Sequence, residues 1–215
     1  MMLKEYVVAA ELFSSIRRYV DDRIAEFHLI PQERQQELRE MTRYVSACRQ
    51  AAQPARLTFI CTHNSRRSHL SQIWAAVAAS FYGIPGVETF SGGTEATAFA
   101  KPALAALRRA GFVINSPEAK NPHHVLQYQV MGRPLICFSK VYNEPPNPES
   151  GYCAVMTCHH ADVNCPVVFG AASRIKVQYE DPKISDGTPT EAATYDERCR
   201  QIAREMLFAF SHVER

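Results

Sequence analysis

The sequence has no apolar stretch long enough to cross a bilayer, and its charges almost cancel. Lys and Arg total 24 against 22 Asp and Glu over 215 residues, so no overall field favours nucleic acid or an anionic membrane as a partner. Lys4, Glu5 and Glu11 interrupt the apolar start of the chain, which argues against a secretory signal. These absences predict a cytoplasmic globular protein. A small anionic substrate is still compatible with this composition, because the local geometry of a site, and not the net charge of the chain, decides its binding.

The sequence also lacks a Cys-x2-Cys pair, although it contains seven cysteines. In a reducing compartment, clustered cysteines indicate catalysis, redox exchange or a metal site. The residue types suited to zinc are Cys153, Cys158, His159, His160 and Cys165. Cys153 and Cys158 would point to opposite faces of a strand, however. We therefore predict no metal site. The remaining isolated cysteines, apart from one treated below, are interpreted as small buried apolar residues: Cys48, Cys137 and Cys199.

Residues 1–53 are predicted to form a helical extension of two helices. Apolar residues recur there at three- and four-residue spacing, which is typical of helices with one buried face. They are Leu12, Ile16, Val20, Ile24 and Phe27 in the first helix, and Leu38, Met41, Val45 and Cys48 in the second. Pro31 suits the first turn of the second helix. The pattern does not identify a partner, and it leaves open a homodimer formed through these helices.

Strands alternate with helices along residues 54–215. The predicted strands are 57–60, 87–91, 152–157 and 174–179, and the predicted helices are 68–81, 101–110 and 191–210. This alternation predicts an α/β fold: a parallel four-stranded sheet with helices on both faces, and a ligand site at the carboxyl ends of the strands. An insertion at about 121–151 is predicted to contain a hairpin of residues 125–130 and 134–138.

The segment from Cys61 to Ser68 lies between the first predicted strand and the next helix. Backbone N–H groups converge in such a loop and the helix dipole adds positive charge, so the loop can hold a tetrahedral oxyanion. Arg67 can bind two oxygens of that anion as a fork, and these surroundings favour the thiolate of Cys61. Hydroxyls of Ser65 and Ser68 are placed to donate to the sulfur, and Asn64 tolerates a left-handed backbone. The predicted oxyanion-binding residues are Thr62, His63, Asn64, Ser65, Arg66 and Ser68. The alternative is a buried structural cysteine beside a solvated arginine.

The sequence Cys-Thr-His-Asn-Ser-Arg-Arg-Ser at residues 61–68 resembles the signature loop shared by low-molecular-weight protein tyrosine phosphatases and thioredoxin-coupled arsenate reductases. Ser-Gly-Gly-Thr at residues 91–94 resembles the Ser-Ala-Gly segment of that family. The resemblance covers about residues 56–210 and leaves out the N-terminal helices and the insertion. His63 departs from it, because the family usually has glycine there. The resemblance implies the four-stranded fold and catalysis by Cys61 and Arg67.

A proton donor is expected opposite the loop, because thiolate attack expels an oxygen leaving group. Glu180, Asp181 and Pro182 follow the last predicted strand and therefore lie at the same edge of the sheet. Pro182 favours an extended backbone at Asp181. The family carries its general acid as the aspartate of an Asp-Pro pair, so the resemblance assigns this role to Asp181. Glu180 is the substitute.

The resemblance to arsenate reductases implies a role for two further cysteines. In those enzymes two cysteines at the spacing of Cys158 and Cys165 form a relay. Cys61 attacks arsenate, Cys158 attacks the Cys61 sulfur and releases arsenite, and Cys165 resolves the disulfide, which is passed to thioredoxin. If residues 158–165 were helical, the two Cα atoms would be about 10 Å apart. A disulfide needs roughly 4.4–6.8 Å, so the segment would have to unwind on oxidation.

Two enzymatic functions and one non-catalytic function are compatible with these residues. Reduction of arsenate by the three-cysteine relay, with thioredoxin as partner, is the predicted function. The alternative is hydrolysis of a phosphomonoester through a phosphocysteine intermediate, which uses Cys61, Arg67 and Asp181. The Cys158 pair favours the reductase, as does Lys183, which stands where the phosphatases usually have an aromatic residue. Neither function requires a cofactor. The non-catalytic possibility is an anion-binding or helix-mediated interaction module. It does not explain why Cys61, Arg67 and Asp181 occur together.

Overall fold

The structure is a computed structural model that describes residues 11–164 and 167–214. Strands and helices alternate in it after a helical start. The helices are α1 (Ser14–Ala25), α2 (Gln32–Gln50), α3 (Arg67–Phe81), α4 (Lys101–Ala110), α5 (His159–Asn164) and α6 (Glu191–Ser211). The strands are β1 (Ala55–Cys61), β2 (Val87–Gly93), β3 (Val113–Asn115), β4 (His124–Gln127), β5 (Leu135–Cys137), β6 (Tyr152–Met156) and β7 (Ala171–Lys176). Short 3-10 helices lie at Phe27–Leu29 and Pro182–Ser185.

A four-stranded parallel sheet in the order β2-β1-β6-β7 forms the centre of the fold. The near-continuous burial of β1 and β6 fits strands covered on both faces. The predicted α/β class and the four-stranded parallel sheet are therefore confirmed. Along the described residues, no helix combines the length and apolarity that a membrane crossing needs.

The last strand of the sheet begins three residues before the predicted one, at Ala171. The chain stays extended beyond the end of β7, because the Val177 N–H donates to Met156 O (3.0 Å) and the Tyr179 N–H to Thr157 O (3.1 Å). This extension carries the chain to the carboxyl edge of the sheet, where Asp181 follows.

A separate antiparallel sheet in the order β3-β4-β5 joins two strands of the insertion, β4 and β5, to β3, which precedes it. The predicted hairpin corresponds to β4 and β5. The sequence did not predict β3, which has three residues and is too short to show a periodic pattern. It follows Gly111, whose φ of +110° ends α4 in the left-handed conformation that glycine adopts readily.

The two N-terminal helices pack into the main core. Ile16, Val20, Leu38, Met41 and Val45 are fully buried in the same apolar cluster as the sheet and α3. Helix α6 contacts α1, α2, α3 and α4. These contacts explain why the predicted apolar stripes face inwards. The part of the predicted first helix that precedes residue 11 lies outside the described residues.

Candidate active site

The loop of residues 61–68, here called the signature loop, leaves β1 at the carboxyl edge of the sheet and enters α3. Asn64 is fully buried and has a φ of +43°. Its Nδ2 donates to Ser68 Oγ (2.9 Å), and its Oδ1 accepts from the backbone N–H of Lys140 (3.0 Å). An amide side chain supplies both a donor and an acceptor, so Asn64 fixes the loop from two sides.

The sulfur of Cys61 lies 3.1 Å from Ser68 Oγ. Because Ser68 Oγ already accepts from Asn64, its own proton is available to donate to the sulfur. Cys61 is 3% exposed. The expectation that Ser65 also donates to the sulfur is wrong, since its hydroxyl donates to Ala98 O (2.6 Å) and ties the loop to the segment before α4.

Arg67 and Asp181 form an ion pair, with Nη2 and Oδ2 2.7 Å apart. Arg67 Nη1 also donates to Tyr179 O (3.1 Å), whereas Nε is buried without a hydrogen-bond partner among the described residues. The second oxygen of Asp181 accepts from the Lys183 N–H (3.1 Å). The structure therefore brings the predicted arginine and acid together.

Arg66, predicted to bind the oxyanion, contacts the segment that carries the acid. Its Nε donates to Tyr195 Oη (2.9 Å), and that hydroxyl donates to Asp186 Oδ1 (2.7 Å). Arg66 Nη1 lies 3.8 Å from Asp181 Oδ1. Burial, followed by the hydrogen bond to Asp186, raises the pKa of Tyr195. Arg66 thus connects the signature loop to the segment that carries Asp181.

Thr62 and His63 lie on two different sides of the signature loop. Thr62 Oγ1 is 3.6 Å from Cys158 Sγ and 3.3 Å from His160 Nδ1. The His63 side chain is 41% exposed and its Nε2 lies 3.8 Å from Glu95 Oε2. The histidine that replaces the usual glycine therefore extends to the rim of the site.

Cys158 is buried in the apolar cluster that contains Cys61, and its sulfur accepts from the Ala161 N–H (3.4 Å). Residues His159–Asn164 are helical, but Cys165 lies outside the described residues. The relay therefore stays a prediction. The described part of the chain contains no cluster of three His, Cys, Asp or Glu side chains that could hold a metal ion.

Three other cysteines have unreactive surroundings. Burial raises the pKa of the Cys137 and Cys153 thiols to about 12 and that of Cys199 to about 11. These thiols stay protonated at neutral pH and are poor nucleophiles.

The insertion supports the signature loop through residues that the sequence did not single out. Ser139 Oγ donates to His63 O (3.0 Å) and accepts from the Thr97 N–H (2.8 Å). Asn121 holds Ser139 by two hydrogen bonds, one to its carbonyl and one from its amide. No local motif could have revealed this contact, because Ser139 is 76 residues from His63 in the sequence.

Next to Ser139, Lys140 carries a buried ammonium group behind the signature loop. Its Nζ lies 4.6 Å from the centre of the Phe138 ring. Burial lowers the pKa of Lys140 to about 8. His69 is fully buried nearby, and burial together with the charge of Lys140 lowers its pKa well below the usual value. His69 is therefore neutral at physiological pH, and its Nδ1 lies 3.1 Å from Ser91 Oγ.

Gly93 is required where β2 meets the signature loop. A Cβ atom there would lie 2.2 Å from Glu95 O, 2.6 Å from Thr62 O and 2.7 Å from Asn64 N, all backbone atoms. We expect Gly93→Ala to lower the free energy of unfolding by about 1–3 kcal/mol or more, measured by urea denaturation, and to weaken phosphate binding. Gly187→Ala is the control, since a Cβ there meets nothing within 4 Å and adds only left-handed strain. An equal loss in the two variants would contradict the prediction.

Neither a protein-family model nor a curated protein matches the sequence. Solved structures do match the fold. A YwlE mutant from Bacillus subtilis aligns with a TM-score of 0.51 at 14% identity, over 75% of this chain and 99% of that one. A low-molecular-weight protein tyrosine phosphatase from T. tengcongensis gives 0.48 at 14% identity, over 71% and 95%. A YwlE arginine phosphatase from Geobacillus stearothermophilus gives 0.45 at 16% identity, over 74% and 92%. With its four-stranded parallel sheet and surrounding helices, the chain has the same α/β fold as the YwlE structure from Bacillus subtilis.

Proposed function

We propose that the protein hydrolyses phosphomonoesters through a phosphocysteine intermediate on Cys61. The contact between Arg67 and Asp181 carries this proposal, because it joins the arginine of the signature loop to the acid of the Asp-Pro pair at a distance of 2.7 Å. Both groups lie at the same edge of the sheet as the Cys61 sulfur. Each group that such a hydrolysis needs lies within the described residues.

In the first step the Cys61 thiolate attacks phosphorus and the ester P–O bond breaks. The hydroxyl of Ser68 stabilises the sulfur anion before attack. Arg67, released from Asp181 by the incoming phosphate, binds two of its oxygens. Asp181, no longer paired with Arg67, takes up a proton from solvent beside the bound phosphate dianion and donates it to the leaving oxygen, so that an alcohol departs and an S-phosphocysteine remains at Cys61.

In the second step water hydrolyses the phosphocysteine. Asp181, now a carboxylate, accepts a proton from the attacking water, and the S–P bond breaks to return the Cys61 thiolate and inorganic phosphate. The loop amides hold the phosphoryl oxygens through both steps. No cofactor takes part.

The deciding experiment is the release of 4-nitrophenol from 4-nitrophenyl phosphate, with intact-mass detection of the intermediate after rapid acid quench. A phosphoryl group on the wild-type protein that is lost in Cys61→Ser is expected. Turnover without any phosphorylated cysteine would rule out the proposed mechanism.

Arsenate reduction by the three-cysteine relay is a second candidate, favoured by the position of Cys158 beside the signature loop. Its sulfur lies 3.6 Å from Thr62 Oγ1. The relay also needs Cys165 and thioredoxin.

We expect Cys158→Ser to abolish thioredoxin-coupled arsenate turnover while hydrolysis of 4-nitrophenyl phosphate continues, because only the relay uses a second thiol. The measurement follows thioredoxin oxidation with arsenate beside phosphate release. Cys153→Ser is a matched control, since this cysteine is buried in β6 in a different apolar cluster from Cys61 and Cys158. Arsenate turnover that survives in Cys158→Ser would disprove the relay. An absence of such turnover in the wild-type protein would leave phosphate hydrolysis as the sole candidate of the two.

A further inference from the structure

A groove lies beside Arg67, between the ends of β6 and β7 and the helix α6. Its volume is about 280 Å³. Arg67, His159, His160, Glu180, Arg198 and Gln201 contribute to its lining. The groove shares Arg67 with the proposed phosphate site, and Thr62 of the signature loop contacts His160 across its edge. A group attached to a phosphate held by Arg67 could therefore extend into it.

Arg198 is a cation of this groove whose side-chain hydrogen-bond partner is neutral; it forms no ion pair with a described carboxylate, although the charges of Glu180, Glu205 and Glu197 act on it from further away. Its Nη1 donates to Gln201 Oε1, and its Nε is buried without a hydrogen-bond partner among the described residues. Two other arginines near the site bind carboxylates: Arg67 pairs with Asp181, and Arg34 with Glu205. A guanidinium whose partner is neutral is suited to receive an anion as a fork.

Among the described residues, the groove contains no exposed phenylalanine, tyrosine or tryptophan ring, and its exposed rings are the imidazoles of His159 and His160. The tyrosine of the groove, Tyr179, is buried, and the Arg34 guanidinium lies over its ring at 4.8 Å. The floor beside it is polar, because Arg34 Nη2 donates to Gln178 O (3.0 Å). This lining disfavours an unsubstituted aryl group and favours a polar one. Glu180 is exposed at the edge of the groove, where solvent screens its charge.

We propose that this groove is a second anion subsite, in which Arg198 binds a carboxylate carried by the leaving group of the phosphomonoester. The proposal rests on the proposed hydrolysis and narrows its substrate class to phosphomonoesters with a second anionic group. Arg67 binds the phosphate and Arg198 binds the carboxylate, so one substrate spans both sites.

The test compares phenyl phosphate with 4-carboxyphenyl phosphate in the wild-type protein and in Arg198→Gln. We expect the wild-type protein to prefer the carboxylated substrate in kcat/KM. Arg198→Gln should reduce this preference about tenfold, the effect of one charge-assisted hydrogen-bonding contact, with little change for phenyl phosphate. Arg198→Lys should retain part of it. The measured effect is the preference between the two substrates in the wild-type protein divided by the same preference in the variant. The different leaving-group chemistry of the two phenols is the same in both proteins and therefore cancels.

Arg200→Gln is the matched control. It removes the same charge from the same helix, but Arg200 faces Glu26, with Nη2 and Oε1 2.5 Å apart, and not the groove. The proposed subsite would be overturned if Arg198→Gln left the preference for 4-carboxyphenyl phosphate unchanged. It would also be overturned if Arg200→Gln reduced that preference as much as Arg198→Gln does.

A binding measurement separates this inference from the proposed hydrolysis. Calorimetry with benzylphosphonate and 4-carboxybenzylphosphonate, which cannot be hydrolysed, should show tighter binding of the carboxylated compound to the wild-type protein but not to Arg198→Gln. Equal binding of the two compounds to the wild-type protein would disprove the subsite even if Cys61-dependent hydrolysis is found. Hydrolysis that persists in Cys61→Ser would disprove the proposed mechanism while the binding result still decides the subsite.

Discussion

Cys61→Ser is expected to reduce the hydrolysis of 4-nitrophenyl phosphate by at least about a thousandfold, because a serine hydroxyl in this loop is not ionised and cannot replace a thiolate. The rest of the loop should persist, since serine keeps the size of the side chain and a contact with Ser68. Phosphate binding, followed by calorimetry, should therefore remain. The comparison isolates the chemical role of the sulfur from its packing.

The control for this prediction is Cys48→Ser, which changes a half-buried cysteine in α2. It is expected to keep the wild-type rate. Comparable activity in Cys61→Ser and Cys48→Ser would show that the measured hydrolysis does not use the signature loop.

Asp181→Asn is expected to slow phenyl phosphate hydrolysis by about a hundredfold or more, because an amide cannot donate the proton that a poor leaving group needs. The loss in kcat/KM should be smaller for 4-nitrophenyl phosphate, whose phenolate leaves without full protonation. The same variant should bind inorganic phosphate more tightly. Its neutral amide would hold Arg67 less firmly than the carboxylate of Asp181 does, and a negative charge near the bound anion would be gone.

Glu180→Gln tests the alternative assignment of the acid. Glu180 is exposed and adjacent to Asp181, so the variant should hydrolyse phenyl phosphate at close to the wild-type rate. A large loss in Glu180→Gln together with a small loss in Asp181→Asn would move the proton donor to Glu180.

The parts of the fold that follow a local pattern could be predicted from the sequence. The helix after the signature loop and the strands of the parallel sheet have apolar runs or a clear period, and the structure contains them with small shifts at the ends. The left-handed backbone at Asn64 was predicted from its residue type alone. Strand β3 could not be predicted, because three residues carry no usable period.

The contacts around the site could not be predicted, because they join distant parts of the chain. The sequence pointed to Arg67 and Asp181 separately but not to their ion pair. It placed Arg66 on the oxyanion, whereas the structure connects Arg66 to Tyr195, 129 residues away. Ser139 and Arg198 lie in segments without a motif, and only the folded chain brings them to the signature loop and the groove.

The burial of α1 and α2 against α6 has a consequence for how small an active piece of this chain can be. Five apolar side chains of these two helices are fully buried, and each contributes about 2 kcal/mol by leaving water. Together they approach the whole net stability of an ordinary domain, which is about 5–15 kcal/mol. A fragment starting at residue 54 would retain all the proposed reacting groups. It would lose α1 and α2, against which α6 packs. The chemistry of the loop therefore depends on an N-terminal segment that supplies none of the proposed reacting groups.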